Sequence, residues 1–290
     1  MLKTIALTTL AMLAFAANSV LARLALASGD IDALGYTGVR LLAGALTLIA
    51  LSLWFERRAG PRAFRVAGSW TQAAALFGYA ACFSVAYLLL GASTGALVLF
   101  CSVQLGMLSR AILSGDRPGA WEWLGLAVAF AALVYLVSPG LAAPDPIGVL
   151  LMVAAGLCWA AYSLLGRGSI SPLADTTGNF VRCLPVAAIL AIAGLALQQA
   201  SPAGLVYAIA SGALASGVGY AIWYAALPRL TRTRAAIVQL SVPVLAALGA
   251  VVFIGELVSA RLIVASLAVI GGVGLAIIAA DRRKTRAATG

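Results

Sequence analysis

Residues 16–23 read A-A-N-S-V-L-A-R and residues 160–167 read A-A-Y-S-L-L-G-R, the same pattern at an offset of 144. The match continues outward in order. Val39-Arg40 pairs with Val181-Arg182 at an offset of 142, and Val85-Ala86-Tyr87 with Val218-Gly219-Tyr220 at 133. Ser102-Val103-Gln104-Leu105 aligns with Ser241-Val242-Pro243-Val244 at 139, and Gly115-Asp116 with Gly255-Glu256 at 140. Each pair is short, but the shared order and similar offsets mark an internal duplication.

The duplicated unit is a membrane unit. Of 290 residues, 63% are apolar and 10% charged, with a mean hydropathy of +1.06. A soluble chain carries about 25% charged residues to wet its surface, so most of this surface faces something other than water. A helix needs about 20 mostly apolar residues to cross the hydrocarbon core. Ten such runs are found, near 4–26, 34–54, 69–90, 94–114, 120–138, 146–166, 176–198, 203–225, 232–253 and 258–280. The alternating strands of about ten residues that make a transmembrane barrel are absent from the pattern. The first run follows Lys3 as a signal peptide would, but it is long for a signal core and has its near copy at 154–167. It reads as a retained helix.

The expected fold is therefore an all-α integral membrane protein of ten transmembrane helices. Placing the N-terminus in the cytoplasm puts fifteen of the nineteen basic residues on that side, and the other four are Arg23, Arg40, Arg182 and Arg261. The positive-inside rule then assigns both termini to the cytoplasm. Residues 1–138 form the first five-helix unit, 139–146 a short extracytoplasmic linker, 147–280 the second unit and 281–290 a basic cytoplasmic tail. Five is odd, so the second unit enters the membrane from the opposite side. Inverted repeats of this kind are typical of secondary transporters, with the substrate near the midplane between the repeats.

Several other classes lose their footing. The net charge of +10 comes from clusters between apolar runs, which suits topogenic loops better than a nucleic-acid face. No histidine is present, and Cys82, Cys101, Cys158 and Cys183 each stand alone in an apolar stretch. Neither a metal site, a redox pair nor any cofactor is called for. An intramembrane enzyme would need metal ligands, paired acids or a nucleophile with its base, and the chain reads as no enzyme. A pure scaffold or sensor finds little support in paired polar positions.

The 5+5 layout, the aromatic-small-small-x-Ser pattern of helices 1 and 6, the Pro-Val of helix 9 and the Gly-Glu that closes it resemble the EamA-type branch of the drug/metabolite transporter superfamily. The likeness covers nearly the whole chain. Within that branch it is most similar to aromatic amino acid exporters of the YddG type, on overall likeness and aromatic content. The resemblance implies an inner-membrane exporter of small metabolites.

Polar groups in the hydrocarbon zone are costly unless they face a partner or a cavity, so each is a candidate. Helix 1 carries Phe15 and Asn18 on one face, and the repeat places Trp159 and Tyr162 at the same positions of helix 6. Helix 3 has Tyr79, Phe83 and Tyr87 at spacings of four, and helix 4 has Phe100 and Gln104. Gln239 and Pro243 correspond to them in helix 9, while helix 8 adds Tyr220, Trp223 and Tyr224. Such a lining suits an uncharged or zwitterionic solute with an apolar side chain: rings supply area and amides orient polar ends. Interhelical packing and interfacial belts are the plain alternative, and the belt reading is preferred for Trp70, Trp121 and Trp123.

Arg40 and Arg182 are symmetry mates a few residues inside helices 2 and 7. Snorkelling to the nearest interface is the ordinary reading; a gate contact or an anchor for a substrate carboxylate is the functional one. Pro243 is placed with them as a gating candidate, since proline removes a helix donor. Ala268, Gly272, Ala276 and Ala280 form a small-residue ridge that packs within the bundle or makes a weak dimer. All nine acids fall in loops or at helix ends, which leaves no proton relay in the core. The expected mechanism is facilitated uniport by alternating access. The expected partners are the lipid bilayer and an aromatic or neutral amino acid, and the alternative is drug or metabolite export with proton antiport.

Overall fold

Apolar runs bounded by small polar turns fold as helices along the whole chain. The structure, a computed structural model, describes residues 2–59, 67–113, 115, 118–137, 143–166, 169–198, 200–230 and 238–289. The helices are α1 Leu2–Ala27, α2 Ala33–Ala59, α3 Trp70–Leu89, α4 Ala92–Leu113, α5 Ala120–Val137, α6 Pro146–Leu165, α7 Pro172–Leu197, α8 Pro202–Ala226, α9 Ser241–Ile254 and α10 Ala260–Thr289. Among the described residues, α1, α2, α3, α6, α7, α8 and α10 carry apolar stretches long enough to cross a bilayer, while α4, α5 and α9 contribute shorter ones. The chain is a multi-pass helical membrane protein.

Local chemistry explains the starts and stops. The Ser69 hydroxyl accepts from the Gln72 amide at the head of α3, and Asp145 and Ser201 cap α6 and α8 in the same way, each with proline at the first helical position. Gly255 ends α9 at φ 71°, a left-handed conformation that glycine adopts without steric cost. The run expected from 232 becomes a helix from Ser241 on; residues 231–237 lie outside the described part. The final helix runs on to Thr289, through the stretch read from sequence as a tail. Within α8, the segment Ser211–Val218 (S-G-A-L-A-S-G-V) is wound as a π-helix, a wider turn that sequence periodicity does not reveal.

The main contacts between the first five helices and the last five form a set that repeats. α2 lies on α7 and α8, α1 on α8 and α9, α3 on α6 and α7, α4 on α6 and α9, and α5 on α10. Replacing each helix by the one five places along the chain returns the same pairs. Small residues let two crossings close up. A Cβ on Gly38 of α2 would stand 2.3 Å from the Ala191 amide nitrogen of α7, and one on Gly272 of α10 would stand 2.5 Å from the Gly125 carbonyl of α5. The ridge on α10 therefore meets α5 within the bundle. Trp70, Trp121 and Trp123, at helix ends, are largely exposed.

Polar contacts close the bundle at both ends. At one end Ser52 of α2 bonds Thr177 of α7 at 2.8 Å, Asp175 accepts from the Gly68 amide at 2.9 Å and Asn179 accepts from Ser69 at 3.0 Å. At the other, Arg23 of α1 donates to the Tyr87 carbonyl at 3.0 Å and lies 3.5 Å from Glu256. Glu256 in turn accepts from the Ala92 amide that opens α4, at 2.8 Å. One carboxylate thus joins the ends of α1, α4 and α9.

Candidate functional site

Between these two closures lies a cavity lined by Phe15, Asn18 and Ser19 of α1, Tyr79 and Phe83 of α3, Leu99 and Phe100 of α4, Trp159 of α6, and Ala215 and Tyr220 of α8. Its free space is about 20 Å³, room for roughly one water. The aromatic rings fill the rest. Trp159 stands at their centre, with ring centroids 4.9 Å from Tyr79, 5.1 Å from Tyr220, 5.5 Å from Tyr162 and 6.4 Å from Phe15. Phe15 also meets Tyr220 and Trp223 edge-on at 5.9 and 6.0 Å, a preferred arrangement for rings with opposed edge and face charge. Any solute larger than water has to part these rings.

One wall is polar. Asn18 donates through Nδ2 to the Tyr79 hydroxyl at 3.1 Å, and its Oδ1 accepts from Ser211 at 2.6 Å. Ser211 itself accepts from Tyr36 of α2 at 2.8 Å. Arg40 Nη2 also donates to the Tyr79 hydroxyl, at 3.1 Å. The network therefore ties α1, α2, α3 and the π-helical part of α8 together directly beside the cavity. Ser211 reaches it from the first residue of the widened turn.

Arg40 does not snorkel. It is 2% exposed, with its guanidinium carbon 4.7 Å from the Phe83 ring centre and 5.2 Å from that of Tyr79. The reason is rotational: position 40 faces α3 rather than lipid, and the two rings sheathe its charge. Its symmetry mate behaves differently. Arg182 is half-buried near one end, donating to the Gly178 carbonyl at 2.9 Å and to that of Ala67, with Trp70 at 5.8 Å.

Seven of the expected residues thus share the cavity wall: Phe15, Asn18, Tyr79, Phe83, Phe100, Trp159 and Tyr220. Tyr162 and Trp223 stand behind it, the former bonded to Thr176 at 3.4 Å. Gln104 is buried one turn beyond Phe100, Gln239 is half-buried and Pro243 is buried in the first turn of α9; none of the three lines the space. Ser19, Leu99 and Ala215, absent from the expected set, complete the lining. Ser19 was legible as the serine of the repeated pattern, whereas Leu99 and Ala215 carry no signal in a chain this apolar. Among the described residues no acid touches the cavity. Glu122, the most deeply buried acid, is paired with Arg283 at 2.7 Å at the start of α5.

An aromatic cavity set between polar contacts at the helix ends is thus held within a bundle of membrane-spanning helices. The EamA-like transporter family matches residues 146–278. Uncharacterized protein PA1977 of Pseudomonas aeruginosa is 50% identical over 273 residues, 94% of each chain. The threonine/homoserine exporter RhtA of Salmonella typhimurium is 31% identical over 172 residues, 57% of each chain, and that of Escherichia coli K12 is 32% identical over 158 residues, 52% of each. A crystal structure 23% identical in sequence superposes with a TM-score of 0.64 over 94% of this chain and 97% of its own, a likeness of fold. Residues 146–278 thus carry an EamA-like transporter domain, within a multi-pass membrane protein whose partial relatives are named as amino acid exporters.

Proposed function

We propose that this protein exports small metabolites, foremost aromatic and other neutral amino acids, across the cytoplasmic membrane by alternating access around the Trp159 cavity. The observation that carries the reading is the pairing of an aromatic cage with a single polar wall, which suits a solute with one apolar and one polar end. The partial match to threonine/homoserine exporters supports the amino acid class. The main contacts between the first five and the last five helices map onto themselves under a five-helix shift and support two inverted units, and the end contacts join only helix ends that a ten-span path would put on one side. Both termini are then cytoplasmic, as the basic loops require.

The mechanism is facilitated uniport, because no described acid meets the cavity and a proton relay needs one. Purified protein in liposomes, given labelled phenylalanine, tryptophan and threonine, tests the reading. Flux that equilibrates without an imposed gradient is expected; no flux of any amino acid moves the function to other metabolites or drugs. Flux only under a pH gradient replaces uniport by antiport.

A further inference from the structure

We infer that Tyr79 and Arg40 form a carboxylate-binding subsite on the polar wall of the cavity, so that the solute carried is one whose polar end is an anion. The inference rests on the proposed transport of small solutes through this cavity and names the chemical group recognised there.

Two observations point to it independently. The first is the Tyr79 hydroxyl. It accepts from Arg40 and from Asn18, which occupies both of its lone pairs. Its own proton is left to donate, and among the described residues nothing accepts it. Tyr79 lines the cavity, so the acceptor it lacks has to come from there. The second is Arg40. A guanidinium this deeply buried is ordinarily paired with an acid, yet the acids of the described ion pairs, Glu256 and Glu122, belong to Arg23 and Arg283. Arg40 Nη1 has no hydrogen-bond partner at all. Two aromatic faces and one hydroxyl leave the cation under-compensated.

A carboxylate accepting the Tyr79 proton would answer both. Its oxygen would sit within about 6 Å of the donating Arg40 nitrogen, two hydrogen-bond lengths away. In a site this dry, charge at that range is felt strongly. The two donors on Tyr79 also polarise its O–H toward an anionic acceptor. The apolar remainder of the solute would then lie against Trp159, Phe15 and Tyr220. Among the described residues no acid stands opposite to receive an ammonium group, so the anionic end is what the wall selects.

Titration of the purified protein with three solutes that share one ring tests this. Phenylalanine has both charges, 3-phenylpropanoate only the carboxylate, and phenethylamine only the ammonium. Binding is followed by calorimetry, so the result does not depend on transport. Phenylalanine and 3-phenylpropanoate are expected to bind, and phenethylamine to bind at least about tenfold more weakly, the weight of one hydrogen bond to a charged group. Tyr79→Phe keeps the ring and removes only the donor, and should erase that discrimination. Arg40→Lys should keep part of it and Arg40→Gln none. Equal binding of the amine and the acid overturns the inference. Displacement of 3-phenylpropanoate by chloride at matched concentration also overturns it, by showing a site for a bare inorganic anion. If the carboxylates bind but no amino acid crosses the liposome membrane, the subsite stands and the transport reading falls.

Discussion

At the scale of single residues, Trp159 is the ring that meets the most others, touching Tyr79, Tyr162, Tyr220 and Phe15. Trp159→Ala should lower phenylalanine and tryptophan flux about tenfold or more, and Trp159→Phe should restore part of it. Liposome flux of unchanged rate in both variants would deny the cavity its role. Asn18 bonds two partners beside the cavity. Asn18→Leu leaves the Ser211 proton without its acceptor and takes one donor from Tyr79, at a cost of about 1–3 kcal/mol, visible as a lower melting temperature in detergent. Phe15, Asn18, Tyr79 and Trp159 were legible because a polar or aromatic group in a membrane run draws attention to itself. The depth of Arg40 was not legible. Sequence gives a residue's height along a helix, while snorkelling or burial depends on which way the helix is turned, and that is set by α3 and α7. Tyr36 and Ser211 were missed because each is an ordinary residue until a partner 175 positions away completes it.

At the scale of elements, the tight crossings are the weak points. Gly38→Leu would drive side-chain atoms into the α7 backbone, and overpacking of this kind costs about 1–3 kcal/mol; the expected readout is reduced folded yield and an earlier melt. Glu256→Gln keeps the shape but removes the charge that answers Arg23 and the head of α4. Cysteines placed beside the closure, for instance at Ser93, should then label faster with a water-soluble thiol reagent. Asp30 ties the α1–α2 turn to the start of α8 by accepting from Ser201 at 2.7 Å. Hydrogen bonds from Ser28 and Ser201 hold its carboxyl below the ordinary range. Its contribution to stability is therefore full above about pH 4 and is lost as pH falls through its lowered value. Asp30→Asn should flatten that acid limb of the melting curve. Helix positions followed from hydropathy almost throughout, because spans must be long and apolar. The length of α10 and the π-turn of α8 did not, since charge does not end a helix and no residue type is reserved for a wider turn.

At the scale of the whole molecule, polar contacts tie helix ends on either side of the cavity, and the free space within it is close to that of one water. Under the proposed alternating access, loading a solute opens one set of these contacts while the other holds. Breaking the Glu256 contacts and breaking the Ser52–Thr177 and Asp175 contacts should expose opposite ends, so their variants are expected to label from opposite faces of oriented vesicles. With no acid at the cavity among the described residues, steady-state phenylalanine distribution should be indifferent to an imposed pH gradient, and accumulation that follows the gradient would sink the proposed uniport. Eight residues and their echoes are what suggest a duplication in the sequence. Which helices meet across the two units was not legible, because packing partners are chosen by small residues such as Gly38 and Gly272 that recur everywhere in this chain.

The widened turn in α8 holds surplus chain. Over the same rise an α-turn would need fewer residues, so tightening Ser211–Val218 would pass the excess along the helix as a wrinkle passes down a rope. Shifting the winding by a single residue turns everything beyond it by roughly 100°, at 3.6 residues per revolution. Tyr220 and Trp223 ride on that part. A screw motion of one half-helix would then swing two rings off Phe15 and Trp159 while the lipid-facing helices stay where they are, so the gate could turn on its own axis instead of tilting.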